Sequence, residues 1–140
     1  VKFVKLSKTA KIPTRKTKFS AGYDFYADET ITIPPLGVVV VPTNIGIEDM
    51  KTNQYLQVSL RSSSSIEIPV VMANGVGIID ADYPSDQSIG CILFNRMPNM
   101  RVTIDKGMRI MQGVLLNYHT IDDEIPPTKE RVAGYGSTNN

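Results

Sequence analysis

Short, β-branched apolar runs recur along this chain, and they restrict its fold more than any other feature. "ITI", "GVVVV", "NIGI", "YLQVSL", "IPVVMA", "VGII", "IGCILF" and "RVTI" follow one another between residues 31 and 104, separated by turn residues. Valine and isoleucine pack well on a pleated surface, and runs this short cannot fill a helix. Spacing of this kind predicts an all-β sandwich or barrel. Pro34-Pro35, Pro42, Pro69 and Pro84 mark boundaries between the runs. The one stretch with helical flavour is "GMRIMQGVLLNY" (107–118), whose alternation fits a long strand equally well.

The 140 residues suit one domain with a core, and neither an internal repeat nor a linker divides them. No apolar run approaches the ~20 residues of a membrane-spanning helix. The first 18 residues are too polar and basic for a secretory signal. Cys91 is the single cysteine and lies in an apolar run, so an intracellular setting is the simplest reading. That means the cytoplasm, or a host cell's interior for a viral or phage protein. One histidine, His119, and one cysteine argue against a zinc site.

Charge is uneven. Lys2, Lys5, Lys8, Lys11, Arg15, Lys16 and Lys18 carry no acid among them. Such a segment can attract a polyanion, but with Phe3 and Phe19 as its only aromatics it is poorly suited to stacking bases. It reads as a solvated edge guarded by lysine, with nucleic acid an unlikely partner.

Chemistry concentrates in five places. "NGVGIIDADY" (74–83) ends an apolar run in Asp80, Asp82 and Tyr83, which is a platform for chemistry or an ordinary solvated turn. "AGYDFYA" sets Asp24 inside an apolar, strand-like pattern. "RSSSS" offers Arg61 and hydroxyls at a strand end, suited to a phosphate or to a polar loop. "GMRIMQG" places Gln112 in an apolar segment, where a buried amide needs partners. "GYGST" (134–138) closes a polar stretch whose composition suits a disordered tail and a phosphate-wrapping segment equally.

Taken together and in this order, the five segments resemble the motifs of the trimeric dUTPases (deoxyuridine triphosphate nucleotidohydrolases), over residues 21 to 138. The resemblance implies a jelly-roll-like β-barrel over 1–120 and a flexible C-terminal arm over 121–140. It implies hydrolysis of dUTP to dUMP and pyrophosphate by water attack on the α-phosphorus. That reaction keeps uracil out of DNA and supplies dUMP for dTMP synthesis. Asp80 matches the general base, which also contacts the sugar 3′-hydroxyl. Asn74, Gly77 and Ile79 match a β-hairpin that reads uracil, largely through its backbone. Tyr83 matches the ring packed under deoxyribose. Arg61, Ser62, Ser63 and Gln112 match phosphate contacts, and Asp24 matches the carboxylate that reaches Mg²⁺ through water. Arg131, Tyr135, Gly136, Ser137 and Thr138 match the arm, with Tyr135 as a stacking ring that orders on substrate.

Implied with these are Mg²⁺, the substrate dUTP, and a homotrimer whose sites are shared between subunits. Three departures stand out. "PSDQS" after Tyr83 is two residues longer than the family pattern. Met108 and Met111 replace an acid and an alanine. Arg131 stands four residues before Tyr135 rather than five. Two other functions share this fold class. A dCTP deaminase would carry a glutamate on the strand after Asp80, where "IGCILFN" has no acid. A regulatory dUTPase-fold protein would act through protein contacts.

Overall fold

A computed structural model describes residues 1–135. Arm residues Gly136, Ser137 and Thr138 lie outside the described residues. Twelve strands and one helix occur among those described. In chain order they are β1 (Lys2–Lys5), β2 (Thr14–Arg15), β3 (Tyr23–Tyr26), β4 (Ile31–Ile33), β5 (Val38–Val41), β6 (Ile45–Glu48), β7 (Gln54–Leu60), α1 (Ser62–Glu67), β8 (Val70–Met72), β9 (Val76–Asp80), β10 (Cys91–Asn95), β11 (Val102–Ile104) and β12 (Arg109–Asn117). All pairings are antiparallel. The fold is all-β, as the apolar runs predict, and jelly-roll-like, as the resemblance implies.

The body comprises a five-stranded sheet, β2-β3-β12-β7-β9, a three-stranded sheet, β5-β10-β8, and the pairs β1-β6 and β4-β11. Alternation sets the inward faces. Leu56 and Val58 on β7, Ile79 on β9, and Cys91 and Leu93 on β10 join Phe25 and Ile45 in one buried cluster. Each such large aliphatic or aromatic side chain contributes about 1.5–3 kcal/mol by leaving water. Cys91 is fully buried, and burial pushes its thiol up to about 12, so it acts as a core group. No helix among the described residues is long and apolar enough to cross a membrane.

The ambiguous stretch 107–118 contains a strand. β12 runs between β3 and β7 and slips register between Arg109 and Met111. That bulge turns two successive residues, Ile110 and Met111, into the core, which breaks the plain alternation. The four serines form the first turn of α1, where the pattern suggests a strand end. Ser65 N–H donates to the Arg61 carbonyl at 3.0 Å, and the Ser65 hydroxyl donates back to the Ser62 carbonyl at 2.9 Å. Pro69 then forces Ile68 to an extended backbone (φ −122°, ψ 135°), and the helix stops.

Asp28, just past β3, ties the basic N-terminal segment to the body. It is 5% exposed and accepts from Ser7 Oγ (2.5 Å), Thr9 Oγ1 (2.8 Å) and Asn44 Nδ2 (2.7 Å). Burial pushes its carboxyl up, but the bonds from Asn44, Ser7 and Thr9 and the Lys106 charge outweigh it and hold it at about 2.

Candidate active site

The strand after Pro69 and the one ending in Asp80 belong to different sheets. β8 pairs with β10, and β9 pairs with β7. The chain crosses between them at Asn74-Gly75, where Gly75 has φ 72° and its N–H bonds the Met72 carbonyl at 2.9 Å. The resemblance implies a hairpin here. The structure has an opened one, its two strands splayed because each is claimed by a different neighbour. β8 and β9 are therefore both sheet edges, each with a strand partner on one side only among the described residues. A backbone edge of this kind offers amide and carbonyl groups to a ligand.

Between these edges lies a cavity of about 240 Å³, lined by Asn74, Gly77, Ile79, Asp80 and Tyr83 along with Met72, Gly90 and Ile92. Tyr83 is 7% exposed, and its hydroxyl donates to the Ser88 carbonyl at 3.0 Å. Burial, with Tyr135 beside it, pushes its phenol upward, so it stays neutral. Asp80 ends β9 opposite Tyr55 of β7, its side chain about half exposed.

The last strand ends at Asn117, and the chain returns to this cavity as an arm. Arg131 Nη2 meets Asp80 Oδ2 at 2.5 Å and its Nε meets Asp82 Oδ1 at 2.8 Å. Gly134 and Tyr135 complete the lining. The arm thus lies on its own chain's cavity, and Arg131 stands on two carboxylates.

A second concavity, about 330 Å³, is lined by Lys16, Ser20, Gly22, Asp24, Arg61, Ser62 and Gln112. Register builds it. Asp24 on β3 lies opposite Gln112 on β12 and Thr14 on β2. Asp24 is 8% exposed; Arg61 Nε pairs one of its oxygens at 3.1 Å and Arg109 Nη1 the other at 3.0 Å. Gly22 lets Gln112 lie close, since a Cβ there would crowd Gln112 Oε1 and displace that side chain. Ser63 lies one residue further into α1 and is not part of this lining.

Within one chain, then, Asn74, Gly77, Ile79, Asp80 and Tyr83 gather in one cavity and Asp24, Arg61, Ser62 and Gln112 in another, with no residue common to both. Neither cavity greatly exceeds the ~300 Å³ floor for a whole drug-sized ligand. Each suits part of one. The sequence assigns neither Lys16 nor Gln87 to a site: Lys16 stands in the lysine-rich edge segment, and Gln87 in the longer loop after Tyr83.

The body is an all-β, jelly-roll-like fold with two separate concave sites, one beside Asp80 and Tyr83 and one beside Asp24 and Arg61. Comparison identifies the family. The dUTPase family model matches residues 8–139. The deoxyuridine 5'-triphosphate nucleotidohydrolase of Lactococcus lactis is 37% identical over 131 residues, covering 91% of this chain and 87% of that one. The human mitochondrial enzyme of that name is 33% identical over 99% of this chain and 54% of its own length. The crystal structure of dUTPase from Streptococcus mutans superposes with a TM-score of 0.79 at 29% identity, covering 87% of this chain and 99% of that one. The chain belongs to the dUTPase family.

Proposed function

We propose that the two cavities are the halves of one dUTP site, with Asp80 as its general base. As a member of this family the chain is a dUTP diphosphatase, releasing dUMP and pyrophosphate. The observation that carries the residue assignment is the acid-and-tyrosine pair, Asp80 and Tyr83, set at the open edge of β9.

Uracil enters between the edges of β8 and β9. There Gly77 and Ile79 present backbone groups and Asn74 an amide, a donor–acceptor pattern that cytosine cannot satisfy. A cavity this narrow leaves no space for thymine's methyl. Tyr83 packs under the deoxyribose and excludes a 2′-hydroxyl. Asp80 takes a proton from water, the water oxygen bonds the α-phosphorus, and the bond to the α,β-bridging oxygen breaks. Arg61, Ser62, Ser63 and Gln112, with Lys16 beside them, hold the phosphates and stabilise the charge that develops. Tyr135 stacks on the base. Arg131 orients Asp80, then exchanges toward phosphate; Gly136, Ser137 and Thr138, outside the described residues, are assigned to substrate contact.

Mg²⁺ fits as an ion carried by the triphosphate. The described residues contain no cluster of three His, Cys, Asp or Glu, and Asp24 offers one carboxylate already paired to two arginines. A single carboxylate acting through water, with phosphate oxygens completing the shell, is how Mg²⁺ is usually held. Bound there, the ion neutralises phosphate charge.

Residues 1–120 serve as the body and 121–140 as the arm. A homotrimer is supported by the split site and by one outward sheet face. Val38 and Val71 flank Phe94, and Val40 lies beside Ile92. Val38, Val40 and Val71 are 58%, 48% and 43% exposed, an apolar face suited to copies of the chain. Cyclic closure would set the groove of one subunit against the base cavity of the next. Deamination lacks support, because β10 reads CILFN and supplies no acid. The lone buried cysteine supports a reducing compartment such as the cytoplasm.

Turnover in oxygen-18 water tests the mechanism. The label is expected in dUMP. Label in pyrophosphate would mean attack at the β-phosphorus and would overturn it.

A further inference from the structure

We infer that Lys16 is a specificity-determining residue that takes the terminal phosphate of the substrate, an inference that rests on the reading of the Asp24 groove given above. The groove runs along β3 and β12. Gln112 faces Asp24 across that pair, and Arg109 faces Tyr26. Arg61 follows Leu60, which lies opposite Met111, so Arg61 and Ser62 enter from the Arg109 side of Gln112. β2 runs the other way. Its Arg15 faces Tyr23, which carries Lys16 past the start of β3. There Lys16, Ser20 and Gly22 line the far end with Val114. A cation thus stands at each end of the groove, with the Asp24 carboxylate between them.

The two cations differ in freedom. Arg61 is held on Asp24, and its side chain is only 21% exposed. Lys16 is exposed and has no carboxylate partner among the described residues. Its loop is braced from within. Arg15 Nη1 donates to the Lys18 and Ser20 carbonyls, each at 3.2 Å. Ser20 N–H closes a turn on the Thr17 carbonyl at 3.2 Å, and the Ser20 hydroxyl accepts the Thr17 N–H at 3.1 Å. Lys18 lies outside the groove lining, its ammonium 5.7 Å from the Phe19 ring, which is 90% exposed. Of the two loop lysines, only Lys16 addresses the groove. A fixed guanidinium suits the reacting phosphorus, where preorganised charge matters most. A mobile ammonium acts as a point charge and suits the far end of the chain of phosphates. The terminal phosphate is also the richest in charge, about −1.5 to −2 at neutral pH.

Four proteins decide it: wild type, Lys16→Met, Lys16→Arg and Lys18→Met. Methionine keeps the aliphatic stem and removes the charge, and Lys18→Met makes the same change in net charge outside the groove. Calorimetric titration with Mg²⁺ compares dUMP, dUDP and a dUTP analogue whose α,β-bridging oxygen is replaced by NH. Lys16→Met is expected to weaken the analogue about three- to tenfold, between an exposed ion pair and a charge-assisted hydrogen bond. It should leave dUMP and dUDP within about twofold. Lys16→Arg should restore most of the loss, and Lys18→Met should leave all three ligands near wild type. Unchanged analogue binding in Lys16→Met overturns the inference. So does equal weakening of all three ligands, which would put Lys16 on an inner phosphate, or equal weakening by Lys18→Met, which would make the effect one of net charge. A wild type that neither binds the analogue nor hydrolyses dUTP would overturn the functional reading and this inference with it. A wild type that does both, with Lys16→Met indistinguishable from it, would overturn this inference alone.

Discussion

Asp24 lies in β3 and Asp28 two residues past its end, and both are buried, at 8% and 5% exposure. Their partners separate them. Asp28 is surrounded by neutral donors from its own fold, Ser7, Thr9 and Asn44, with Lys106 at 3.7 Å. Three hydrogen bonds and one ion pair, all internal, hold it. Asp24 is held by Arg61 and Arg109, whose side chains keep 21% and 32% of their surface open. Those cations line or border a groove that can take an anion. A buried carboxylate is thus not a mark of function. The mark is a buried carboxylate whose partners are cations with access to solvent, because they can trade part of that pairing for a ligand's charge.

Four substitutions test this division, ordered by expected effect. Asp80→Asn removes the base while keeping the shape of the strand end. kcat should fall ~10²–10⁴-fold, with the thermal midpoint held. A variant keeping more than half of wild-type kcat would remove Asp80 from the mechanism. Asp24→Asn should lower kcat/KM about 10–100-fold, the usual cost of losing a group that acts on a metal through an intermediate. Excess Mg²⁺ should recover part of the loss, and an unresponsive defect would make Asp24 a purely structural residue.

Tyr83→Ala opens the space under C2′. The dUTP-to-UTP ratio of kcat/KM should fall about tenfold, within the range that a single contact supplies. An unchanged ratio with activity preserved would move Tyr83 out of the sugar site. Asp28→Asn, the contrast to Asp24, should leave kcat/KM near wild type and cost about 1–3 kcal/mol of stability at neutral pH. The sign with pH follows from the carboxyl lying at about 2 in the fold, below its ordinary value near 4. Its stabilisation is complete above about pH 4 and is lost as pH falls toward 2. Thermal midpoints against pH should show that loss in wild type and a flatter curve in Asp28→Asn.

The same pair shows what could be read from the chain alone. Asp24 was legible because it stands in a pattern with Gly22, which lets Gln112 lie close. Asp28 follows a strand and stands in no motif. Its partners come from residues 7, 9, 44 and 106, so nothing local announces burial. Fold class was legible because short β-branched runs have few other uses. The helix at 62–67 was not, since serine prefers caps and turns and is held here by Arg61 and Pro69. Neither was the splaying of β8 from β9. Alternation tells which face is buried and not which strand lies alongside, and that choice opened the hairpin. Lys16 gave no signal beyond its charge, because the groove it lines is assembled from β3, β12 and the turn at Arg61.

A substrate panel tests the central claim most directly: dUTP, dTTP, dCTP and UTP, each with Mg²⁺, scored by pyrophosphate release. A narrow cavity read by backbone edges and floored by Tyr83 predicts efficient release from dUTP. The other three should lag by large factors, on the order of 10⁴ where mispaired buried polar groups oppose binding. Comparable release from dTTP or UTP, or ammonia from dCTP, would contradict the assignment of the two cavities to one dUTP site.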